Sequence, residues 1–177
     1  MSKTAFDAAM AVRPGIETVR IKGSSLTSPS AQKFAERVRR KYPSVRNIEI
    51  VATVEEAVRD ADIVEIATSS PTGDPSTYPY LDEAWLKPGA VVACPAAARF
   101  DDDFILNRAR IVTDNIMLYE AWADEMPYPA YETIPIPAVH CMDLIHDGKM
   151  TRDQIDDLGD ILAGNAPVHR RQDEIVI

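Results

Sequence analysis

The residues of this chain best suited to chemistry are small, polar and clustered. Lys22-Gly23-Ser24-Ser25, Thr68-Ser69-Ser70 and Cys94-Pro95-Ala96-Ala97 each follow a stretch that reads as a β-strand. Short hydroxyl and glycine segments after strands are where open α/β sheets bind ligands, because backbone N–H groups and side-chain oxygens converge at the carboxyl ends of the strands. A fourth candidate, Ser2-Lys3-Thr4, lies at the start of a predicted helix, whose free N–H groups suit an anion.

Each cluster also has a plainer reading. Lys22 to Ser25 reads equally as a Gly-Ser turn with a solvated lysine. Thr68 to Ser70 can cap a turn or a helix. Asp114-Asn115 reads as a helix cap rather than a ligand. His140-Cys141 and His146 lack zinc-site spacing, so no metal site is expected. Cys141 has no nearby partner that would make it a nucleophile. Asp101 to Asp103, the acids Asp153, Asp156, Asp157 and Asp160, and the basic stretch Arg37 to Lys41 read as solvated helix faces.

The elements that must position these clusters alternate. Helices are expected over 1–12, from Ser28 and Pro29 to Pro43, from Thr53 through Ala61, around Asp103–Arg108, and over Asn115–Asp124 and Val139–His146. Thr53 and Glu56 have the form of a capping box, as do Thr151 and Gln154. The second box is expected to open a helix with Ile155, Leu158, Ile161 and Leu162 turned inward. Strands are expected at Thr18–Ile21, Ile48–Ala52, Ile63–Ala67, Ala90–Cys94 and Ile111–Thr113, with another beginning at Glu174. The unbroken apolar run from Ile63 predicts burial on both faces. The proline-rich stretch Met126–Pro137 reads as extended linker.

The class is therefore α/β: a Rossmann-type doubly wound parallel sheet with a C-terminal helical segment. Its first strand and Gly-rich loop are lacking, since none of the seven glycines forms a G-x-G. In the strand order 3-2-1-4-5-6 that first strand is central. Its loss is expected to destabilise the chain, to make its neighbours close up, or to call in another segment. Residues 1–137 form the expected nucleotide-binding domain, N-terminally incomplete. Residues 138–177 form a segment leading back to an incomplete second domain.

Composition sets outer limits. The 177 residues suffice for one domain, or one with an appendage. A net charge of −9 disfavours nucleic acid and anionic membrane as partners. Two cysteines make no disulfide framework and favour a reducing, cytoplasmic location. No apolar run reaches the ~20 residues of a membrane span.

One series of motifs points to a family. Ala61-Asp62-Ile63-Val64, Ala67-Thr68-Ser69-Ser70, Trp85-Leu86-Lys87-Pro88-Gly89-Ala90 and Leu158-Gly159-Asp160-Ile161-Leu162-Ala163-Gly164 follow the helix–strand pair Thr4–Ile21 in order. Over residues 4–177 the chain resembles the ornithine cyclodeaminase/mu-crystallin family. Its divergent cyclodeaminase-like members, a branch tied to tyramine oxidase among them, look most similar. The resemblance implies an NAD(P)-dependent enzyme that transfers hydride at the C–N bond of an amino or imino acid, and a homodimer in the full-length form. It implies that the family's substrate-binding and catalytic residues lie outside this chain, so none is assigned here. It implies cofactor contacts at Ser2, Lys3, Thr4, Lys22, Gly23, Ser24, Ser25, Thr68, Ser69, Ser70 and Cys94. The absence of an acid between Arg20 and Ser30 favours NADP over NAD. The rival expectations are a non-catalytic NADP-binding or regulatory subunit and an inactive fragment.

Overall fold

The computed structural model describes residues 2–68, 73–167 and 171–177. Ser69 and Ser70 lie outside the described residues. By its internal contacts the chain divides into two compact units, Met1–Ala61 and Asp62–Ile177. The fold is a Rossmann-like α/β arrangement with parallel sheets.

The first unit runs α1 (Ser2–Val12), β1 (Thr18–Lys22), α2 (Pro29–Lys41), β2 (Asn47–Val51) and α3 (Val54–Val58). β1 and β2 pair in parallel from Thr18 opposite Asn47 to Lys22 opposite Val51. Pro29 opens α2, where its missing N–H costs nothing. Ala31, Ala35 and Val38 turn inward at helical spacing. Met10, Val38 and Val45 form the core, with Phe6 and Phe34 packed against them. The Phe6 ring meets Phe34 and Tyr42 edge-on, at 5.6 and 5.5 Å.

The basic end of α2 is not wholly a solvated face. Arg37 donates to both oxygens of Asp7, at 2.9 and 2.6 Å. Lys41 donates to Asp7 at 2.7 Å, and the Tyr42 hydroxyl donates to Asp7 at 2.5 Å. Only Arg39 and Arg40 stay simply exposed. These donors hold the Asp7 carboxyl far below its usual range, the Arg37 hydrogen bond most strongly.

α3 opens as expected. Glu56 N–H donates to Thr53 Oγ1, and Thr53 N–H donates to Glu56 Oε2, each at 3.1 Å. It stops at Val58, short of Ala61, because Asp60 turns the chain with φ near 60°. The Arg20 guanidinium donates to the carbonyls of Arg59 and Glu56 there, placing a cation at the negative end of the helix.

The second unit carries β3 (Ile63–Glu65), β4 (Val91–Ala93), α4 (Asp102–Asn107), β5 (Ala109–Thr113), α5 (Ile116–Glu125), α6 (Pro137–His146), β6 (Ile155–Asp157), α7 (Leu158–Ala163) and β7 (Ile175–Val176). Its five strands lie in the order β3-β4-β7-β5-β6, every pair parallel. The strand expected to begin at Glu174 is β7. It enters the sheet between β4 and β5. Gly89 makes that possible: its φ is 83°, and a Cβ there would stand 2.6 Å from the Gln172 carbonyl oxygen.

Three other expectations change. β3 is covered on one side only: Val64 is buried while Ile63 is 40% exposed, as is its ladder partner Val91 at 37%. Ile155 begins a strand, not a helix, because β6 pairs with β5 from Ile111 opposite Ile155 to Thr113 opposite Asp157. Leu158 and Leu162 of α7 are consequently exposed. Their helix is capped by Asp157, which accepts from Gly159 N–H at 2.7 Å and from Ile116 N–H at 2.8 Å. The last bond makes Asp157 a structural tie between β6 and α5, and Asp156 likewise binds Arg110 at 2.6 Å. Finally, Met126–Pro137 packs. Ala130–Glu132 is a helical turn, and Tyr131 is buried. The buried Asp143 carboxylate accepts the N–H groups of Ala130 and Tyr131, both at 2.9 Å.

β1 pairs with β2, and β3 with β4; β1 and β3 belong to different sheets. Two substitutions test the packing. Phe104 is 1% exposed, so Phe104→Ala is expected to cost about 3–5 kcal/mol in chemical denaturation. The depressed Asp7 contributes stability above the ordinary carboxylate range, near pH 4, and loses it progressively as pH falls further. Asp7→Asn should therefore lower the melting temperature at pH 7 and flatten its acid dependence; an unchanged acid limb would contradict the clamp.

Candidate functional site

The carboxyl ends of β4 and β5 open onto a cavity of about 290 Å³. Its walls are mostly apolar, with Ile105, Ile111, Ile136 and Pro137 among them. Polar groups enter from Cys94, Thr113, Asp114, Tyr119 and Cys141. A small, largely apolar pocket with a few converging polar groups is the usual form of a small-molecule site. Its place outside strand carboxyl ends is the usual one in this fold class.

Each polar group has a definite environment. Asp114 Oδ1 accepts from the Tyr119 hydroxyl at 2.7 Å and from Asn115 N–H at 3.1 Å. Asn115 stands at the start of α5 without a side-chain capping bond. Burial pushes the Tyr119 hydroxyl well above its ordinary value, and the Asp114 bond adds to the effect. Thr113 is buried and donates to the Asp156 carbonyl at 3.4 Å. Burial alone pushes the Cys94 thiol up to about 12. Cys141 is 1% exposed, and burial pushes its thiol up to about 12 as well. The two cysteines, distant in sequence, thus line one cavity as protonated thiols.

The cofactor residues expected from sequence fall in both units. In the second, Thr68 is exposed, and its Oγ1 donates to the Ala97 carbonyl at 3.5 Å. This ties the segment after β3 to the loop after β4. Cys94 lies on the cavity wall.

In the first unit, Ser2, Lys3 and Thr4 form the first turn of α1, which contains no acid. Lys3 and Thr4 are exposed. Lys22 ends β1, and its ammonium donates to the Gly23 carbonyl at the surface. Gly23 passes so close to α2 that a Cβ would sit 2.8 Å from Ser28 Cβ. Ser24 and Ser25 are exposed, and Ser25 Oγ lies 3.3 Å from Thr27 Oγ1. The loop thus presents one cation and several hydroxyls, with no carboxylate of its own.

Three features had no signal in the sequence. Glu65 Oε1 is buried without a hydrogen-bond partner, and burial raises this carboxyl's pKa. Arg99 Nε is also buried without a partner, while the guanidinium lies 4.6 Å over the Tyr80 ring. His140 and Asp102 form a pair at 2.8 Å across α6 and α4. Among the described residues, no three histidines, cysteines or acids gather as a metal site would require.

Comparison with known proteins adds a family and a fold. The model of the ornithine cyclodeaminase/mu-crystallin family matches residues 1–177. One similar solved structure is that of a probable ornithine cyclodeaminase from Bordetella pertussis Tohama I. The TM-score is 0.54 at 22% identity, over 96% of this chain and 55% of that one. Another is CmnK, with a TM-score of 0.53 at 18% identity, over 96% of this chain and 52% of that one. At such identities the likeness is one of fold. The chain spans about half the length of these structures. No curated protein sequence matches.

The raised thiols yield a direct expectation. At pH 7 a thiol of pKa about 12 is ionised to roughly one part in 10⁵. Iodoacetamide should therefore leave Cys94 and Cys141 unmodified in the folded chain and alkylate both in denaturant. Rapid native alkylation of Cys141, read by mass spectrometry, would contradict its burial.

Proposed function

The chain belongs to the ornithine cyclodeaminase/mu-crystallin family, and on that premise we propose that it is the nucleotide-binding portion of an NAD(P)-dependent enzyme. The substrate in this reading is an amino or imino acid, and the reaction transfers hydride at its C–N bond. The observation that carries the reading is the family match along the whole chain.

The residues present fit NADP better than NAD. The loop after β1 offers Lys22, Ser24 and Ser25 and no carboxylate, which suits a 2′-phosphate and not a pair of ribose hydroxyls. Lys22 would neutralise phosphate charge, and the serines would donate to its oxygens. Ser2, Lys3 and Thr4, in the acid-free first turn of α1, would face the remaining phosphates. Thr68 and its successors Ser69 and Ser70 would contact the nicotinamide end, as would Cys94. Bound nicotinamide supplies the hydride; the chain positions, neutralises and excludes water. The cavity after β4 and β5, with its apolar walls, supports that last role.

In the full-length form, residues 1–137 serve as the nucleotide domain. Residues 138–177 lead into the domain that binds substrate and forms the homodimer, and the enzyme works in the cytoplasm. One observation favours a second reading: none of the seven glycines forms the G-x-G phosphate loop. A non-catalytic NADP-binding or regulatory subunit, or an inactive fragment, would follow from it.

Titration of the chain with NADPH and NADH, followed by nicotinamide fluorescence, separates these readings. NADPH should bind more tightly. Lys22→Ala should weaken NADPH about tenfold, the loss of one charge-assisted contact, and leave NADH unchanged. Equal binding of both nucleotides would overturn the preference for NADP. Binding of neither would leave the fold without the cofactor.

A further inference from the structure

The cavity at the ends of β4 and β5 is rich in apolar wall and poor in free donors. Its two hydroxyl donors are committed. Tyr119 donates to Asp114 Oδ1 at 2.7 Å, and Thr113 donates to the Asp156 carbonyl at 3.4 Å. The thiols of Cys94 and Cys141 are weak donors. No lysine, arginine or histidine lines the cavity among the described residues. α6 enters the wall with Pro137, which has no N–H, and the N–H groups of Val139 and His140 both go to the Ile136 carbonyl. A negatively charged ligand would find little here to answer it, and burying a charge unanswered is costly.

One strong acceptor is left over. Asp114 is exposed and also lines the cavity, so its carboxylate stands where the cavity meets solvent. Oδ1 is taken by the Tyr119 hydroxyl and by Asn115 N–H, at 2.7 and 3.1 Å, and these two bonds fix the group's orientation. That oxygen alone serves the start of α5. Oδ2 accepts no hydrogen bond among the described residues. The neighbouring aspartates are spent on the fold: Asp156 holds Arg110 at 2.6 Å, and Asp157 accepts from Ile116 and Gly159. Beside the free oxygen the walls are Ile105, Ile111 and Ile136, around about 290 Å³. That volume is at the small end for ligand pockets and suits one ring or a short alkyl chain.

We propose that this cavity binds a primary amine with an apolar body, its ring or chain among the isoleucines and its ammonium on Asp114 Oδ2. The ammonium supplies the charge-assisted donor that the oxygen lacks. It also stays beside solvent, where an ion pair costs least in desolvation. The site goes beyond the nucleotide reading and does not depend on it, since it holds for an enzyme and for a binding subunit alike.

The test titrates the full chain, without nucleotide, with benzylamine, benzyl alcohol and phenylacetate, which share a ring and differ in charge. Benzylamine should shift the methyl resonances of Ile105 and Ile111 in ¹³C NMR and raise the melting temperature. Benzyl alcohol has no charge and should bind about tenfold more weakly, and phenylacetate should shift neither methyl. Asp114→Asn keeps an oxygen for Tyr119 and Asn115. It should weaken benzylamine about tenfold and leave benzyl alcohol unchanged. Equal binding of benzylamine to wild type and Asp114→Asn would overturn the proposal, as would phenylacetate bound as tightly as benzylamine. Benzylamine that moves the Asp114 resonances and neither isoleucine methyl would mark a surface ion pair and overturn it too. With no nucleotide in the titration, each of these failures leaves the NADP reading untouched.

Discussion

The second unit depends on two residues near the end of the chain. Ile175 and Val176 form β7, and among the described residues β7 is the strand that links β4 and β5 in the ladder. Val176 N–H donates to Ala90 O at 3.0 Å, and Ile177 N–H donates to Arg110 O at 3.0 Å. Val112 N–H in turn donates to Ile177 O at 2.9 Å. The spacing of β4 and β5, and so the mouth of the cavity between their ends, is set by a strand from far along the chain. A parallel neighbour needs a long crossover, and here the crossover includes β5, β6 and four helices.

That constraint explains which groups sit at the ligand end of the sheet. With β4 and β5 held one strand apart, Cys94 and Asp114 face a common space that adjacent strands would leave narrower. α6 closes it with Pro137, Ala138 and Cys141. α6 is fixed in turn through Asp143, which holds the turn at Ala130 and Tyr131. Tyr131 donates to the Ala98 carbonyl and so reaches the same loop that carries Arg99. Two buried polar ties, Asp143 and Tyr131, thus connect the far helix to the loop after β4. In the first unit, Asp7 has the comparable duty, tying α1 to the end of α2.

Much of this was legible in the sequence, and what was not has physical reasons. The capping box at Thr53 and Glu56 and the proline at the head of α2 are local signals, and local geometry answers them. The family was legible from ordered motifs. The strand at Ile155 was not, because Ile155, Leu158 and Leu162 fit a helical period equally well, and only pairing with β5 decides. The proline-rich stretch 126–137 looked like linker because the signal that folds it, Asp143, lies outside it. Of the residues that the resemblance proposes for the cofactor, Ser2 to Thr4 open a helix, Lys22 to Ser25 lie at the end of β1 and the turn after it, and Cys94 follows β4; Ser69 and Ser70 lie outside the described residues. The cavity and the unpaired Arg99 arise from contacts between distant residues, which no spacing rule reports.

We propose that the carboxyl ends of the second unit's strands β4 and β5, held apart by β7, form its ligand-binding end. Amide hydrogen exchange along the whole chain, with and without NADPH, tests this most directly. Val176 and Ile177 should exchange slowly in both states, as central sheet residues do and chain ends do not. NADPH should further slow exchange in residues 94–97. Rapid exchange at Val176 and Ile177, or NADPH-induced slowing at the opposite ends of the strands around Gly89, would contradict the claim.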